Sequence, residues 1–460
     1  MRARSSTWAA SILGLVAGVI AGTAAVALVG SAVAQRAPAI APEVLEATHF
    51  PPLLTLPGER VDLTFDVHCA APGTDDPEAA CAVSGTLFAR AAGRGEFSVS
   101  RLTPRAEDGL RQLTAVASDQ LTNPNGFEYY AELVSEGGRR ITVPAGGADA
   151  PYRVRTLLDA VEVSLGVHAF GKVRAAAERV ASAPWGDGPA DAGLEGGRNL
   201  APIGASAFDV DPRGNVILLD QAHRRLLQWE SGRTTPVAVP VSIHGRLADL
   251  ARADDGSIYV VESVGRGDLS PVIRRFDADG RELDVVEAAD RTPSQIRIGP
   301  SGPVVLQQPS NQWMPVAAEG APVAPAQQHR RARSGRPLRG GGEVVVLRRG
   351  NEIRLALLRN GAVHGSWRVT STTPLAEVQL AEPIGRRLLV VVRVYGDARD
   401  EFEVLLLDRR GLAQQISLSS ADWAEAAPLG RFRLVGTALY RLGSDPAGAF
   451  VDRVDLGAQG

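Results

Sequence analysis

Residues 205–232, ASAFDVDPRGNVILLDQAHRRLLQWESG, contain a strand and turn pattern that recurs through the rest of the chain. Apolar Phe208 and Val210 alternate with aspartates, a Pro-Arg-Gly turn follows, and a second β-rich run begins at Val216. Alternation on both sides of a glycine turn is typical of an antiparallel β-hairpin. A third β run at residues 224–229 extends this hairpin into a meander of short strands.

The same order of strand, glycine turn and strand recurs five more times toward the C-terminus. The turn glycines are spaced by 42, 46, 40, 43 and 51 residues, and they are Gly214, Gly256, Gly302, Gly342, Gly385 and Gly436. A second glycine follows the third β run of five units: Gly232, Gly280, Gly320, Gly361 and Gly411. Repeats of about 40 residues with four short strands each indicate a β-propeller. We therefore predict an all-β chain with a six-bladed β-propeller over residues 206–460.

The first unit resembles a known propeller family. Its segment FDVDPRGNVILLDQAHRRLLQW is similar to the blade of NHL-repeat and gluconolactonase/strictosidine-synthase-like propellers, with Gln-Ala-His at residues 221–223 in place of the usual polar turn. The resemblance covers about residues 185–456 and implies a six-bladed fold. It implies no particular reaction, because this architecture hosts lyases, lactonases and binding modules alike.

The last unit lacks a fourth strand after its third β run. An unpaired sheet edge invites aggregation, so we expect a segment before residue 205 to close the ring. Two segments compete for this role, residues 161–167 and residues 180–185, and residues 172–183 also have apolar spacing typical of a helix. We assign residues 158–205 to a connector that contributes the closing strand.

The first 34 residues form an export or anchoring segment. Arg2 and Arg4 precede an uncharged stretch that ends in Ala-Val-Ala before Gln35, which is typical of a signal peptide with its cleavage site. The uncharged stretch is also long enough to span a bilayer, so a retained membrane anchor is the alternative. Residues 35–57 are rich in proline and alanine and are interpreted as a linker. We predict a secreted protein, or one that its N-terminal segment holds at the cell envelope.

Residues 58–157 are predicted to form a separate β-sandwich. Seven short strand-like runs alternate with turns rich in glycine, asparagine and proline, as in immunoglobulin-like domains. The chain has only two cysteines, Cys69 and Cys81, and both lie in this segment. An oxidising compartment favours a disulfide between them, which would stabilise the domain by about 3 kcal/mol if it acts on the entropy of the unfolded chain.

Composition and motifs exclude several classes of function. The chain has a net charge of −3, and removal of residues 1–34 with their two arginines would leave 47 − 52 = −5, which is unlike a nucleic-acid-binding protein. The sequence contains no GxSxG nucleophile elbow and no HExxH zinc motif. We therefore expect no nucleic-acid partner and no cofactor.

The candidate binding residues lie in the predicted central mouth of the propeller. This mouth is formed by loops that join the last strand of one blade to the first strand of the next. Two histidines and an arginine-rich run fall in these loops, and guanidinium groups bind carboxylate, phosphate and sulfate well. The candidate ligand-binding residues are His244, His329, Arg330, Arg331, Arg333 and Arg336.

The leading hypothesis is a non-enzymatic binding protein whose mouth holds a protein or an anionic glycan. The alternative is a hydrolase or lactonase with a Ca²⁺ ion in the propeller channel, where the ion would polarise a carbonyl group. Asp209, Glu262 and Asn311 are the candidate ligands for that ion. A zinc lyase site is disfavoured, because catalytic zinc usually has three protein ligands and the mouth loops contain two histidines.

Overall fold

The computed structural model describes residues 43–70, 81–107, 110–117, 124–196, 201–263, 271–287, 293–308, 310–316, 331–397 and 399–456. These residues belong to one compact unit, and their regular structure is almost entirely β-strand, with a short 3-10 helix at Gly147–Asp149. The all-β prediction is therefore confirmed. None of the helices within these ranges is long and apolar enough to cross a membrane. The predicted signal peptide or anchor, residues 1–34, lies outside the described residues.

The N-terminal part of the described chain folds into two sheets, which we call the N-terminal β-domain. The first sheet has the order β1-β3-β7-β6 and consists of β1 (Val44–His49), β3 (Val61–Ala70), β6 (Thr103–Glu107) and β7 (Leu110–Ala117). The second has the order β2-β10-β8-β4-β5, with β9 on β8, and consists of β2 (Leu54–Thr55), β4 (Val83–Ala91), β5 (Ser98–Arg101), β8 (Phe127–Ser135), β9 (Arg140–Val143) and β10 (Tyr152–Thr156). One apolar core joins both sheets and includes Leu63, Phe65, Leu87, Phe127, Tyr129 and Val154. The immunoglobulin-like classification stays a prediction.

The predicted linker at residues 35–57 is wrong for its described part. Strands β1 and β2 lie within it, and each belongs to one of the two sheets. Leu45, Leu53 and Leu54 are at most 2% exposed. Burial of each leucine side chain stabilises the fold by about 1.5–3 kcal/mol, so the segment packs in spite of its prolines. Residues 35–42 lie outside the described residues.

A disulfide joins Cys69, near the end of β3, to Cys81, as the sequence predicts. The carboxylate of Glu43 lies close to both sulfur atoms. Sulfur atoms that are bonded to each other are not thiolate ligands, so this group is a covalent crosslink beside a carboxylate and not a metal site.

His49 is a buried polar group in the core of the N-terminal β-domain. Its Nδ1 lies 2.6 Å from the carbonyl oxygen of Thr64, and its Nε2 lies 2.6 Å from the hydroxyl of Tyr129. Burial lowers the pKa of His49 to about 4, although the hydrogen bond with Thr64 acts in the opposite direction. The neutral ring therefore donates from Nδ1 to the carbonyl and accepts the tyrosine hydroxyl at Nε2.

We expect the free energy of unfolding to fall as the pH falls from 6.5 to 4. In this window the unfolded chain protonates His49 and the folded chain does not, so added protons favour the unfolded state. The total loss is about 3 kcal/mol, because each unit of pKa difference corresponds to about 1.4 kcal/mol. Urea unfolding at pH 7.5 and 4.5 should show this loss in the wild type and in a His364→Gln control, whose side chain is exposed. A His49→Gln variant with the same pH dependence as the wild type would contradict the assignment.

Six small sheets form the blades of a β-propeller, which confirms the predicted six-bladed architecture. Blade I consists of β13 (Ala207–Val210), β14 (Val216–Asp220), β15 (Arg225–Trp229) and β16 (Val237–Pro240). Blade II consists of β17 (Arg246–Arg252), β18 (Ile258–Ser263), β19 (Val272–Phe276) and β20 (Glu282–Glu287). Blade III consists of β21 (Pro293–Gly299), β22 (Gly302–Gln307) and β23 (Gln312–Pro315). Blade IV consists of β24 (Arg336–Pro337), β25 (Glu343–Arg349), β26 (Glu352–Arg359), β27 (Ala362–Thr370) and the earlier strand β11 (Val161–Ser164). Blade V consists of β28 (Leu375–Ile384), β29 (Arg387–Tyr395), β30 (Asp400–Asp408) and β31 (Gly411–Ser419). Blade VI consists of β32 (Phe432–Val435), β33 (Ala438–Asp445), β34 (Gly448–Asp455) and the earlier strand β12 (Glu178–Pro184).

The turn glycines that define the repeat lie between the first and second strands of the blades. All six have positive φ angles: Gly214, Gly256, Gly302, Gly342, Gly385 and Gly436. Gly342 shows why the residue type matters, because its φ is +87° and a Cβ there would lie 2.4 Å from the carbonyl oxygen of Leu358. Four glycines of the second series also have positive φ, namely Gly232, Gly280, Gly361 and Gly411, and Gly320 lies outside the described residues.

Neighbouring blades share apolar cores, because a single blade cannot bury both faces of its own sheet. The core between blades IV and V includes Leu355, Val369, Leu388, Val390 and Leu405. The first strands also contact one another around the channel: β13 contacts β17 and β32, β17 contacts β21, and β28 contacts β32. The blades therefore support each other as a ring.

Segments that precede residue 205 complete two of the blades. β12 pairs antiparallel with β34 and becomes the outer strand of blade VI, whereas β11 pairs in parallel with β27 and adds a fifth strand to blade IV. Of the two segments that the sequence offers, the one near residues 180–185 thus closes the ring. The helical spacing over residues 172–183 does not produce a helix, because Ala181 and Ala183 bury on one face of a strand, in the core between blades VI and I.

Candidate ligand-binding site

A cavity of about 740 Å³ lies at the mouth of the propeller, between blades III, IV and V and the N-terminal β-domain. Its volume is in the range that ligand sites usually have. The first strand of blade IV, β24, has two residues, whereas the first strands of the other blades have four to ten, so it fills less of the ring. Propeller residues in the wall include Gln295, Arg297, Trp313, Arg336, Arg348, Arg349, Gln379, Ala381 and Leu429.

The N-terminal β-domain supplies one wall of this cavity through residues of the segment 50–62. Leu53 and Leu54 anchor the segment in an apolar cluster with Val345 of blade IV. Polar contacts add to this anchor, since the guanidinium of Arg354 donates to the carbonyl oxygen of Leu54. The cavity therefore depends on both parts of the chain.

Glu59 of that segment places a negative charge in the cavity wall. Its carboxylate accepts hydrogen bonds from Arg354, with one N···O distance of 2.9 Å, and from Arg349 at 3.2 Å. Although burial raises the pKa of Glu59, its hydrogen bonds and the charge of Arg354 outweigh that effect and hold the pKa below the usual value. Two arginines of this wall thus already bind a carboxylate of the protein itself.

A buried ion network lies below the cavity, around Asp249. Asp249 is 1% exposed and accepts hydrogen bonds from Arg297 at 2.6 Å and from Arg433 at 3.0 Å. Burial and the charge of Arg433 lower the pKa of Arg297 to about 10, while Asp249 acts in the opposite direction. These contacts tie together the first strands of blades II, III and VI. The guanidinium of Arg297 also donates to the carbonyl of Leu429, so it serves the structure of the channel.

The structure describes four of the six predicted binding residues, and one of the four lines the cavity. Arg336 lines the cavity, where it donates to the carbonyl oxygen of Ala381 and pairs with Glu382 at 2.7 Å. His244 lies exposed in its loop and is not part of the cavity wall, and Arg331 is likewise exposed outside it. His329 and Arg330 lie outside the described residues.

The rest of the arginine run is engaged in ion pairs. Arg333 pairs with Glu343 at 3.1 Å, and its backbone forms a bridge to Trp313. Arg339 pairs with Asp254 at 2.9 Å. Among the run's described members, Arg336 alone reaches the cavity.

The residues proposed for Ca²⁺ do not fit a calcium site. The carboxylate of Asp209 accepts backbone N–H groups of Val210 and Arg252. The carboxylate of Glu262 is 1% exposed and accepts two backbone N–H groups and the guanidinium of Arg274. Asn311 lines the cavity without either of them. Within the described ranges, Glu43 and the disulfide form the only group of three His, Cys, Asp or Glu side chains with closely spaced ligand atoms.

Sequence reasoning missed the wall residues Arg348, Arg349, Gln379 and Trp313. The double arginine ends the second strand of blade IV, directly before its turn to the third strand. In an antiparallel meander, this turn lies on the same face as the loops between blades. A sequence prediction that considered the turns between second and third strands, as well as the loops between blades, would have included Arg348 and Arg349.

No protein-family model and no curated protein sequence matches this chain. Virginiamycin B lyase from Staphylococcus aureus is a similar solved structure, with 10% identity, 54% of this chain and 94% of the lyase covered, and a TM-score of 0.32. A functionally unknown protein from Desulfotomaculum acetoxidans has 12% identity, coverage of 55% and 90%, and a TM-score of 0.36. A putative gluconolactonase has 16% identity, coverage of 46% and 75%, and a TM-score of 0.28. The lyase and the gluconolactonase-like protein are β-propeller proteins, and likeness at this level carries no argument about this chain.

Proposed function

We propose that the protein is a non-enzymatic binding protein whose mouth cavity holds part of an anionic partner, a protein or a glycan. The observation that carries this proposal is the cationic wall of the cavity. Arg348 lines it, and within the described residues its guanidinium donates to carbonyl oxygens and meets no carboxylate. Arg349 beside it is exposed and shares one carboxylate with Arg354.

The chemistry of the wall supports binding over catalysis. The wall residues that the structure describes include no histidine, cysteine, lysine or tyrosine. Two of the three carboxylates in the wall are engaged with arginines, Glu59 with Arg354 and Asp62 with Arg60. One hydroxyl of the wall does contact a carboxylate, since Thr55 donates to Glu59 at 3.1 Å. Arg354 donates to the same carboxylate and compensates its charge, which makes it a poor base for the nucleophile activation that covalent catalysis requires.

The proposed location is the exterior of the cell or its envelope. The disulfide between Cys69 and Cys81 supports an oxidising compartment. The signal-like segment of residues 1–34 supports export, with either cleavage or retention as an anchor. An extracellular anionic polymer or an acidic envelope protein would meet the mouth there.

We expect the full chain to bind polygalacturonate or poly-L-glutamate at low salt, and added NaCl to weaken the complex because ions screen the charges. Biolayer interferometry measures this binding. Ser334→Trp should reduce the affinity at least tenfold, since Ser334 lines the cavity and an indole would fill part of it. Ser231→Trp is the matched control, because Ser231 is exposed in a turn of blade I. No binding of either polymer, or equal binding by S334W and the wild type, would refute the proposal.

A further inference from the structure

Two groups in the cavity wall have hydrogen-bonding capacity that the described protein does not use. Arg348 donates from Nη1 to the carbonyl oxygens of Gly350 at 3.3 Å and Leu375 at 3.2 Å, and it pairs with no carboxylate of the described chain. Gln379 is 5% exposed, and its buried Oε1 has no hydrogen-bond partner among the described residues. Its Nε2 lies 3.5 Å from the carboxylate of Glu377. A buried carbonyl oxygen without a donor is costly, so it marks a position where a ligand N–H would be stabilised.

The distance between the two groups sets the length of the ligand. Arg348 contacts Leu375 at the start of β28, and Gln379 lies four residues further along that strand. Two register irregularities against β29 lie in this stretch, where residues 375–380 pair with residues 394–391, so at about 3.3 Å per partner residue the two positions are roughly 8 Å apart. An extended peptide of about three residues spans this distance.

The wall also favours a carboxylate at the arginine end. Glu59 already places a carboxylate on the guanidinium groups of Arg349 and Arg354, and Arg349 is the immediate neighbour of Arg348. A second carboxylate, from a ligand, could bind the guanidinium of Arg348, which lines the same cavity. Guanidinium groups bind carboxylates with charge-assisted hydrogen bonds, which are stronger than neutral ones.

Apolar side chains line the cavity next to these polar groups. Phe50 is 68% exposed, which is unusual for a phenylalanine, and it stands in the wall together with Pro52 and Trp313. Leu380 follows Gln379 and also lines the cavity. Peptides combine apolar side chains with regularly spaced backbone N–H groups, whereas acidic glycans present mostly hydroxyl groups. The wall therefore fits a peptide better than a glycan.

We infer that the cavity binds the last three or so residues of a peptide chain, with the terminal carboxylate on Arg348 and an upstream backbone N–H on Oε1 of Gln379. This inference rests on the proposed function and names the partner of the same site. The ligand class is a protein C-terminus, or a peptide released with a free carboxylate.

The test uses the full chain and an equimolar random library of N-acetylated tetrapeptides, in free-acid form and in C-terminally amidated form. Ultrafiltration separates bound from free peptides, and mass spectrometry quantifies the retained ones. We expect the wild type to retain a subset of the free acids at least tenfold more than their amides. Arg348→Met should abolish this preference, and Gln379→Leu should weaken retention about fivefold while the preference for the free acid remains. Arg386→Met is the matched control, because Arg386 is exposed in the turn between the first two strands of blade V.

Equal retention of acids and amides, no retention of either, or an unchanged preference in R348M would overturn the inference. A tetragalacturonate arm separates this failure from failure of the proposed function. If S334W loses tetragalacturonate binding that the wild type has, and no peptide is retained, then the cavity is an anion site and the peptide inference is wrong. If neither tetragalacturonate nor peptides are retained by the wild type, both proposals fail.

Discussion

Replacement of Ala183 by aspartate is expected to lower the free energy of unfolding by about 3–5 kcal/mol, the usual cost of an uncompensated charge in a protein interior. Ala183 is fully buried in β12, the strand that closes the propeller on blade VI. Its side chain packs in the core between blades VI and I, near Phe208 and Val451. An aspartate there must either bury its charge or expel the closing strand.

The neighbouring Ser182 provides the matched control, because it lies in the same strand and its side chain is exposed. Ser182→Asp should change the free energy of unfolding by no more than about 0.5 kcal/mol, as most surface substitutions do. Urea unfolding followed by tryptophan fluorescence measures both variants. If the two aspartate variants were equally stable, residues 178–184 would not form the closing strand.

Asp249→Asn is expected to have an effect of similar size, a loss of about 3–5 kcal/mol, because it removes the anion from a buried ion network. Asp249 compensates Arg297 and Arg433, and each guanidinium is less than a tenth exposed. Asparagine keeps the shape of the side chain but leaves two buried cations next to one another. Burial already lowers the pKa of Arg297 to about 10, and in the variant no negative charge at position 249 would oppose this effect.

Asp254→Asn is the control for the charge change. Asp254 is largely exposed and pairs with Arg339 at 2.9 Å, and exposed pairs contribute about 0–1 kcal/mol. Urea unfolding at pH 7 compares the two variants. Equal stability of D249N and D254N would mean that the network does not hold the first strands of blades II, III and VI together.

The repeat was predictable from sequence because it rests on local backbone chemistry. A glycine with positive φ, such as Gly214 or Gly342, is required at the turn of every blade, and alternating apolar residues flank it. The need for a closing strand also followed, since an open sheet edge is costly. The choice between the two candidate segments did not follow, because both have strand-like residues and the difference lies in which core receives Ala181 and Ala183.

The cavity was harder to predict because its wall is built from distant parts of the chain. Phe50 and Glu59 were assigned to a linker and to a separate domain, yet both line the cavity, and Glu59 binds Arg349 and Arg354 of blade IV. The arginine run was visible in the sequence, but sequence does not reveal which arginines have acidic partners. Arg333 has such a partner in the structure, and this contact depends on strand pairing in three dimensions.

Arginine footprinting of the full chain would show whether the mouth cavity is the binding site. Phenylglyoxal modifies accessible guanidinium groups, and mass spectrometry reports each site with and without saturating polygalacturonate or poly-L-glutamate. We expect the bound polymer to protect Arg348 and Arg349, while Arg213 and Arg386, which are exposed away from the cavity wall, keep their reactivity. Protection of Arg213 or Arg386 with unchanged reactivity of Arg348 and Arg349 would place the binding surface outside the mouth cavity.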